Sequence, residues 1–330
     1  MIKIYLSICA LCVSAVAQDQ PAPIIDMHLH ASTANSQGPP PLALCAPPIG
    51  YPPVNTGVDW ASTFMALMKN ASCDNPLRSP MTDRELMERT LALMKRRNVF
   101  AVTSGRLVDQ WRKEGGARII PGLAFNIDDL TVDQMREKFR TGQFRVLGEV
   151  GIQYRGIDPG DARFEPYLAL AEEQDVPVAI HIGPGPPGAP YLGTPAYRAR
   201  LHSPLVLEEP LMRHPKLRVC AMHAGWPMLD DTIAMLWTYP QLYVDVGVIS
   251  WAVPRAEFYA YLRRIVQAGF GKRVLFGSDQ MVWPEALEIA IESIEKADFL
   301  SPEGKRDILY NNAARFLRLS PEEIRQQHGK

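Results

Sequence analysis

The feature that most constrains this chain is an alternation. Eight short, flatly apolar runs are separated by amphipathic stretches of helical period. The runs fall at 23–30, 99–105, 118–125, 146–153, 176–183, 218–225, 242–249 and 273–279. Strands that are apolar throughout, rather than at every second residue, are covered on both faces, as in a parallel sheet. Helices are expected between them at 82–98, 132–139, 164–174, 205–213, 229–238, 255–268 and 285–296. In the first of these, Thr82 and Glu85 have capping-box spacing, and Leu86, Thr90, Leu93 and Met94 mark one face. Eight such units in this length predict an α/β fold of the (β/α)8 TIM-type barrel. A doubly wound open sheet would want a glycine-rich turn after its first strand, and His28-Leu-His30 stands there instead.

Composition supports a packed body with balanced charge. Of 330 residues 47% are hydrophobic, and 35 Lys+Arg balance 36 Asp+Glu to a net charge of -1. Disorder is excluded by the apolar content. Nucleic-acid binding is not expected, because no basic excess is available to neutralise phosphates. The expected partner is a small-molecule substrate, with no stable membrane anchor; a barrel's outer helices leave homo-oligomer formation open.

The first 17 residues read as a signal peptide. Lys3 supplies the positive start, residues 4–16 are almost unbroken apolar, and Ala15-Val-Ala17 offers small residues to a signal peptidase, with cleavage expected between Ala17 and Gln18. The run is short of the roughly 20 residues that span a bilayer. The mature protein is thus expected to be secreted or periplasmic, a single barrel domain over 18–330. Cys9 and Cys12 leave with the leader. Oxidising surroundings then permit a Cys45–Cys73 bridge within one loop-rich insertion, while Cys220 reads as a small buried hydrophobe.

That insertion, 31–81, breaks the rhythm with Pro39-Pro-Pro41, Pro47-Pro48 and Pro52-Pro53. A long Pro-rich excursion after strand 1 would emerge at the C-terminal mouth of a barrel, either as a lid or wall over the pocket or as a surface loop without contact to it. A second Pro/Gly segment, 183–188, should rim the same mouth. Asn70-Ala-Ser72 fits a glycosylation sequon, which matters only in a eukaryotic secretory route. Residues 301–330 read as closing helices, the last with a Ser320/Glu323 capping box.

The chemistry collects at strand ends. His28 and His30 close the first strand as Asp26-Met-His-Leu-His30; two residues apart in a strand, they face the same side. Glu149 sits in the fourth strand, His181 closes the fifth, His223 the sixth and Asp279 the eighth. Each alone has an ordinary explanation. A histidine can bond a backbone carbonyl, Asp279 can cap a loop, and Glu149 can pair with Arg145 or Arg155. Together they are six polar groups interrupting apolar runs at one mouth, and burial without partners would be costly for every one. A shared divalent cation removes that cost. Imidazole and carboxylate ligands suit zinc first, or manganese, cobalt or iron, as one or two ions.

These residues resemble the amidohydrolase superfamily, more narrowly its amidohydrolase-related (family 2) branch. The resemblance spans the mature chain, from Ile24-Ile-Asp-Met-His-Leu-His30 through His181, His223 in His-Ala-Gly-Trp-Pro and Asp279 in Phe-Gly-Ser-Asp, to Tyr310-Asn-Asn-Ala-Ala-Arg-Phe-Leu317. It implies that His28, His30 and His181 are metal ligands and that His223 ligates a second metal or polarises the substrate. It also implies that Asp279 is both ligand and general base. The fourth strand departs from superfamily members that bridge two metals with a carboxylated lysine. It carries Glu149 in Gly-Glu-Val-Gly, similar to a motif of TatD-like nucleases whose glutamate contacts the metals.

The implied activity is a metal-dependent hydrolase using metal-activated water on a small amide, lactone, ester or phosphoester. The alternative within enzymes is a metal-dependent non-oxidative decarboxylase of an aromatic or unsaturated carboxylic acid. From another class, the alternative is a catalytically silent exported binding protein. Tyr154, Arg155 and Trp226 are expected to bind substrate, with Gln280 and Trp283 nearby; an arginine there suits a carboxylate or phosphate. His202, His214 and His328 receive no role.

Overall fold

The computed structural model describes residues 21–329 apart from Ile49, Pro52, residues 54–56 and Val58. The expected leader and its cleavage point lie outside the described residues.

Eight parallel strands follow one another in chain order: β1 Ile24–His30, β2 Val99–Ser104, β3 Ile119–Phe125, β4 Val146–Val150, β5 Val178–His181, β6 Val219–Met222, β7 Leu242–Asp245 and β8 Val274–Leu275. Beyond β8 the chain returns to β1. Phe276 O accepts from Met27 N at 2.8 Å, and Asp279 N donates to His28 O at 2.7 Å. The result is a nearly closed TIM-type barrel with helices between its strands. Every expected strand is present, but the ladders of β5, β7 and β8 stop short of their apolar runs, which leaves Asp279 beyond the end of β8 and not closing it, and so do those of β4 and β6. There the chain leaves the sheet in single 3-10 turns, Ile152–Arg155 and His223–Gly225. Side chains at the mouth are therefore placed by turns as well as by strands.

The helices take their places by amphipathic pattern. After α1 Trp60–Lys69, which belongs to the insertion, α2 Asp83–Arg96 buries Leu86, Thr90, Leu93 and Met94, the stripe expected from sequence. Thr82 Oγ1 caps it by accepting from Glu85 N at 3.2 Å. The reciprocal half of that box differs, because Glu85 Oε2 accepts from Met81 N, not from Thr82 N. At the C-terminus the Ser320/Glu323 box is complete and opens Pro321–Gln327. Tyr310 and Phe316 pack with Ile25, Met27, Val102 and Ile120 of the barrel. No described helix is long and apolar enough to cross a membrane.

Between β1 and α2 the excursion is more ordered than its proline content suggests. Ala43–Leu44 pairs antiparallel with Leu77–Arg78, Cys45 and Cys73 form a disulfide with Cα atoms 5.9 Å apart, and Cys220 is free and buried. α1 is capped by Asp59, which accepts from Ser62 N at 2.9 Å. The reading of 31–81 as a loop-rich insertion does not include this helix, although Trp60, Phe64, Leu67 and Met68 stand at the i, i+4, i+7, i+8 spacing of one helical face. The Trp60 indole donates to Pro187 O at 3.0 Å, docking α1 on the 183–188 segment. Gly188 is required there: its φ is +76°, and a Cβ on it would lie 1.9 Å from Trp60 Nε1.

Candidate metal centre

The six residues singled out in the sequence converge at the C-terminal mouth. His30 Nε2 lies 2.9 Å from Asp279 Oδ1 and 3.6 Å from Glu149 Oε2. His28 Nε2 lies 3.7 Å from Glu149 Oε2 and 3.8 Å from Asp279 Oδ1. On the other side of Glu149, His181 Nδ1 is 2.6 Å from Oε1, and His223 Nε2 is 3.1 Å from His181 Nδ1. Glu149 thus stands among four imidazoles brought by three strands, and the arginines that might have claimed it are occupied elsewhere. Arg145 pairs with Glu323 at 2.6 Å, and Arg155 approaches Asp129 at 4.0 Å.

Donor atoms of two sets lie close enough to share an ion: His28, His30 and Asp279, and His28, Glu149 and His223, each within 4.8 Å of one another. His28 provides the sharpest test of fit. It is buried, and its Nε2 has no hydrogen-bond partner, although two carboxylates stand just beyond bonding distance. A buried imidazole nitrogen left so is costly, and a cation among these donors would satisfy it. The residues present therefore fit a divalent metal.

Electrostatics point the same way. Burial works against ionising Asp279, yet His28 and His30 beside it hold its pKa down to about 2. Burial likewise opposes ionisation of Glu149, and the His181 hydrogen bond with the neighbouring imidazoles of His223 and His28 overcomes it, leaving the carboxyl well below its usual range. Burial would lower His28, but Asp279 and Asp245 raise it well above an ordinary imidazole. Carboxylates held anionic beside imidazoles are the deprotonated donors that a divalent cation requires.

A supporting layer was not read from the sequence. Asp245, wholly buried at the end of β7, accepts from His223 N at 3.0 Å and Gly247 N at 2.8 Å, while its Oδ2 lies 3.3 Å from His28 Nδ1. Asp26 accepts from the backbone N–H of His28 and of Ser278, both at 2.9 Å, and Gln153 Nε2 donates to His181 O at 2.7 Å. Gln280 turns out to hold His30, accepting from its N and donating to its O. Such partners fix the tautomer and orientation of ligating imidazoles. The signal available for Asp245 was a lone carboxylate ending the apolar run Leu242-Tyr-Val-Asp245. Gly247 makes room for this layer, since a Cβ there would sit 2.6 Å from His28 Nδ1. His223 and Asp279 both have left-handed backbone, φ 59° and 47°, uncommon for residues other than glycine and typical of functional turns.

All the donors except buried His28 line one cavity of about 1350 Å³, which Tyr154, Arg155, Trp226 and Trp283 also line. Tyr154 Oη lies 3.3 Å from His181 Nε2. Arg155 is half-exposed, with Nη1 donating to Ile127 O at 3.2 Å. Residues of the excursion border this space too, among them Leu44, Cys45, Phe64, Leu67 and Met68, as do Pro184–Pro187 in the second Pro/Gly segment. Of the unassigned histidines, His202 is buried with neither ring nitrogen hydrogen-bonded, and it stacks on Tyr197 at 4.3 Å. His214 lies between Glu165 and Glu172, and His328 lies against Tyr310.

Imidazoles and carboxylates gathered at the C-terminal mouth of a (β/α)8 barrel define a class, the metal-dependent barrel enzymes. Within it, the family model described as Amidohydrolase matches residues 25–319, and the chain belongs to that amidohydrolase-related family. A search of curated proteins finds no match. Among solved structures, the chain is similar to an uncharacterised TIM-barrel protein from Bordetella bronchiseptica, with 19% identity, a TM-score of 0.59 and coverage of 93% of this chain and 100% of the other. It is similar to a 5-carboxyvanillate decarboxylase from Sphingomonas paucimobilis, with 12% identity, TM-score 0.54 and coverage of 91% and 100%. It is also similar to a protein from Acinetobacter baumannii assigned as a 2-pyrone-4,6-dicarboxylic acid hydrolase and solved with citric acid bound, with 13% identity, TM-score 0.56 and coverage of 90% and 99%. At these identities the likeness speaks for the fold. The family is metal-dependent and includes both hydrolases and decarboxylases.

Proposed function

We propose that this protein is an exported metal-dependent hydrolase acting on a small amide, lactone, ester or phosphoester, with zinc as its metal in one or two copies. The observation that carries the reading is the Asp279 carboxylate standing between His30 and His223 at the mouth of the cavity. His28, His30 and Asp279 would hold one ion; Glu149, His181 and His223 supply donors for a second. Zinc held there would supply Lewis acidity and lower the pKa of water. Asp279 takes a proton from the attacking water and passes it to the leaving group. His223 donates through Nδ1 to Gly247 O at 3.0 Å, which orients its Nε2 toward Glu149 and His181. As a lone pair that nitrogen serves a cation; as an N–H it polarises the substrate oxygen. Tyr154, Arg155 and Trp226 would position the substrate.

Metal analysis combined with a screen of lactones, N-acyl compounds, phosphoesters and aromatic acids tests the reading. Acid release with bound metal is the expected result. Carbon dioxide release in its place would make the protein a decarboxylase, and metal-free, inert protein would make it a binder. Export is supported by the apolar leader and by the Cys45–Cys73 disulfide, which suits an oxidising compartment. N-terminal sequencing of protein recovered from periplasm or medium should begin at Gln18; a start at Met1 would overturn export.

A further inference from the structure

The cavity holds more than a scissile bond needs. Pockets for drug-sized ligands run roughly 300–1,000 Å³, and this one is about 1350 Å³. Much of the extra wall is apolar: Phe64, Leu67 and Met68 from consecutive turns of α1, Leu44 from the small ladder, and Trp226 and Ile249 from the barrel loops. Positive charge is scarce. Apart from histidines, Arg155 is the only cationic side chain among the described lining residues, and it already bonds Ile127 O and approaches Asp129. Three carboxylates, Asp129, Glu149 and Asp279, line the same space. A polycarboxylate could place one group at the metal donors but would find little to receive the others. The apolar wall is also held in place, by the Cys45–Cys73 disulfide and by the Trp60–Pro187 hydrogen bond. A preformed apolar wall costs less to order on binding than a mobile one.

We infer that the substrate is neutral or singly charged and carries a bulky alkyl or aryl arm, which lies along Phe64, Leu67 and Met68 while the reacting group sits at the donor cluster. Only the identity of the reacting group rests on the hydrolase reading; the arm is an inference about the wall.

The test pairs two series on metal-loaded, full-length protein. The first is cleavage of γ-lactones with side chains from none to eight carbons. The second is calorimetric binding of the matching 2-alkyltetrahydrofurans, which have no bond to hydrolyse. Affinity should rise about two- to fourfold per methylene over the first several carbons. Phe64→Ala should weaken the longest ligand at least tenfold. Leu67→Arg, which keeps a long side chain on the helix, should shift preference toward a ligand whose arm ends in a carboxylate. Rising affinity with inert lactones would keep this inference and strike lactones from the hydrolase reading. Lactone cleavage with affinity flat across the series would do the reverse. Tighter binding of carboxylate-tipped arms by the wild-type protein would also overturn it.

Discussion

The donor cluster and the wall supplied by residues 31–81 border one cavity but are fixed by different means. The donors are single side chains on or just beyond short barrel strands, and His223, His28 and His30 are steadied by the buried neighbours Asp245, Asp26 and Gln280. The wall is a helix with no place in the barrel ladder, tethered by a disulfide, a side-chain cap and one indole hydrogen bond. Chemistry that tolerates little displacement sits on the rigid ladder, whereas contacts that set preference sit on a separately stapled segment.

Substitutions can break this contrast from either side. The largest effect is expected at Asp279→Asn, which removes the proton acceptor but keeps the shape. Turnover should fall roughly 100- to 10,000-fold while metal analysis still finds ion bound, and wild-type turnover would disprove the assignment. On the wall, the double change Cys45→Ser with Cys73→Ser opens a loop of sequence separation 28 and should cost about 3–4 kcal/mol of stability by the chain-entropy estimate. Thermal unfolding followed with limited proteolysis should show cleavage within 31–81 first; uniform loss of the barrel would mean the two regions are not separate. Asp245→Asn probes the layer behind His28 and should weaken metal affinity about 10- to 100-fold, read by competition with a chelator. The smallest effect is expected at Gly188→Ala. Its left-handed backbone and the closeness of Trp60 should cost on the order of 1–2 kcal/mol, seen as a lower melting temperature, and an unchanged value would show that α1 does not depend on this docking.

The barrel and its donors were legible because both are written in residue types at fixed strand positions. Continuous apolar runs give the ladder, and a polar residue ending such a run, as His181 and Asp279 do, has no use for the core it interrupts. Asp245 obeys the same rule and escaped notice because a single aspartate leading into a loop is equally well explained as a cap. The excursion was harder to read. Its prolines suggested irregular chain, and they masked a four-residue stripe beginning at Trp60 that is ordinary helical spacing. The docking of that helix depends on Pro187 and Gly188, more than a hundred residues away, and no local pattern reports such a pairing. The Cys45–Cys73 bridge was accessible by elimination among the cysteines, since Cys220 lies in a strand.

Ala34 N donates to Asp83 Oδ1 at 2.6 Å, so the excursion departs from the barrel and rejoins it at nearly the same point. A segment anchored by such a narrow neck can be lengthened, shortened or exchanged at small entropic expense, because closing the loop costs little more as it grows. Descendants of one barrel could in this way acquire new appetites through recombination at a single joint, with the reactive centre inherited intact.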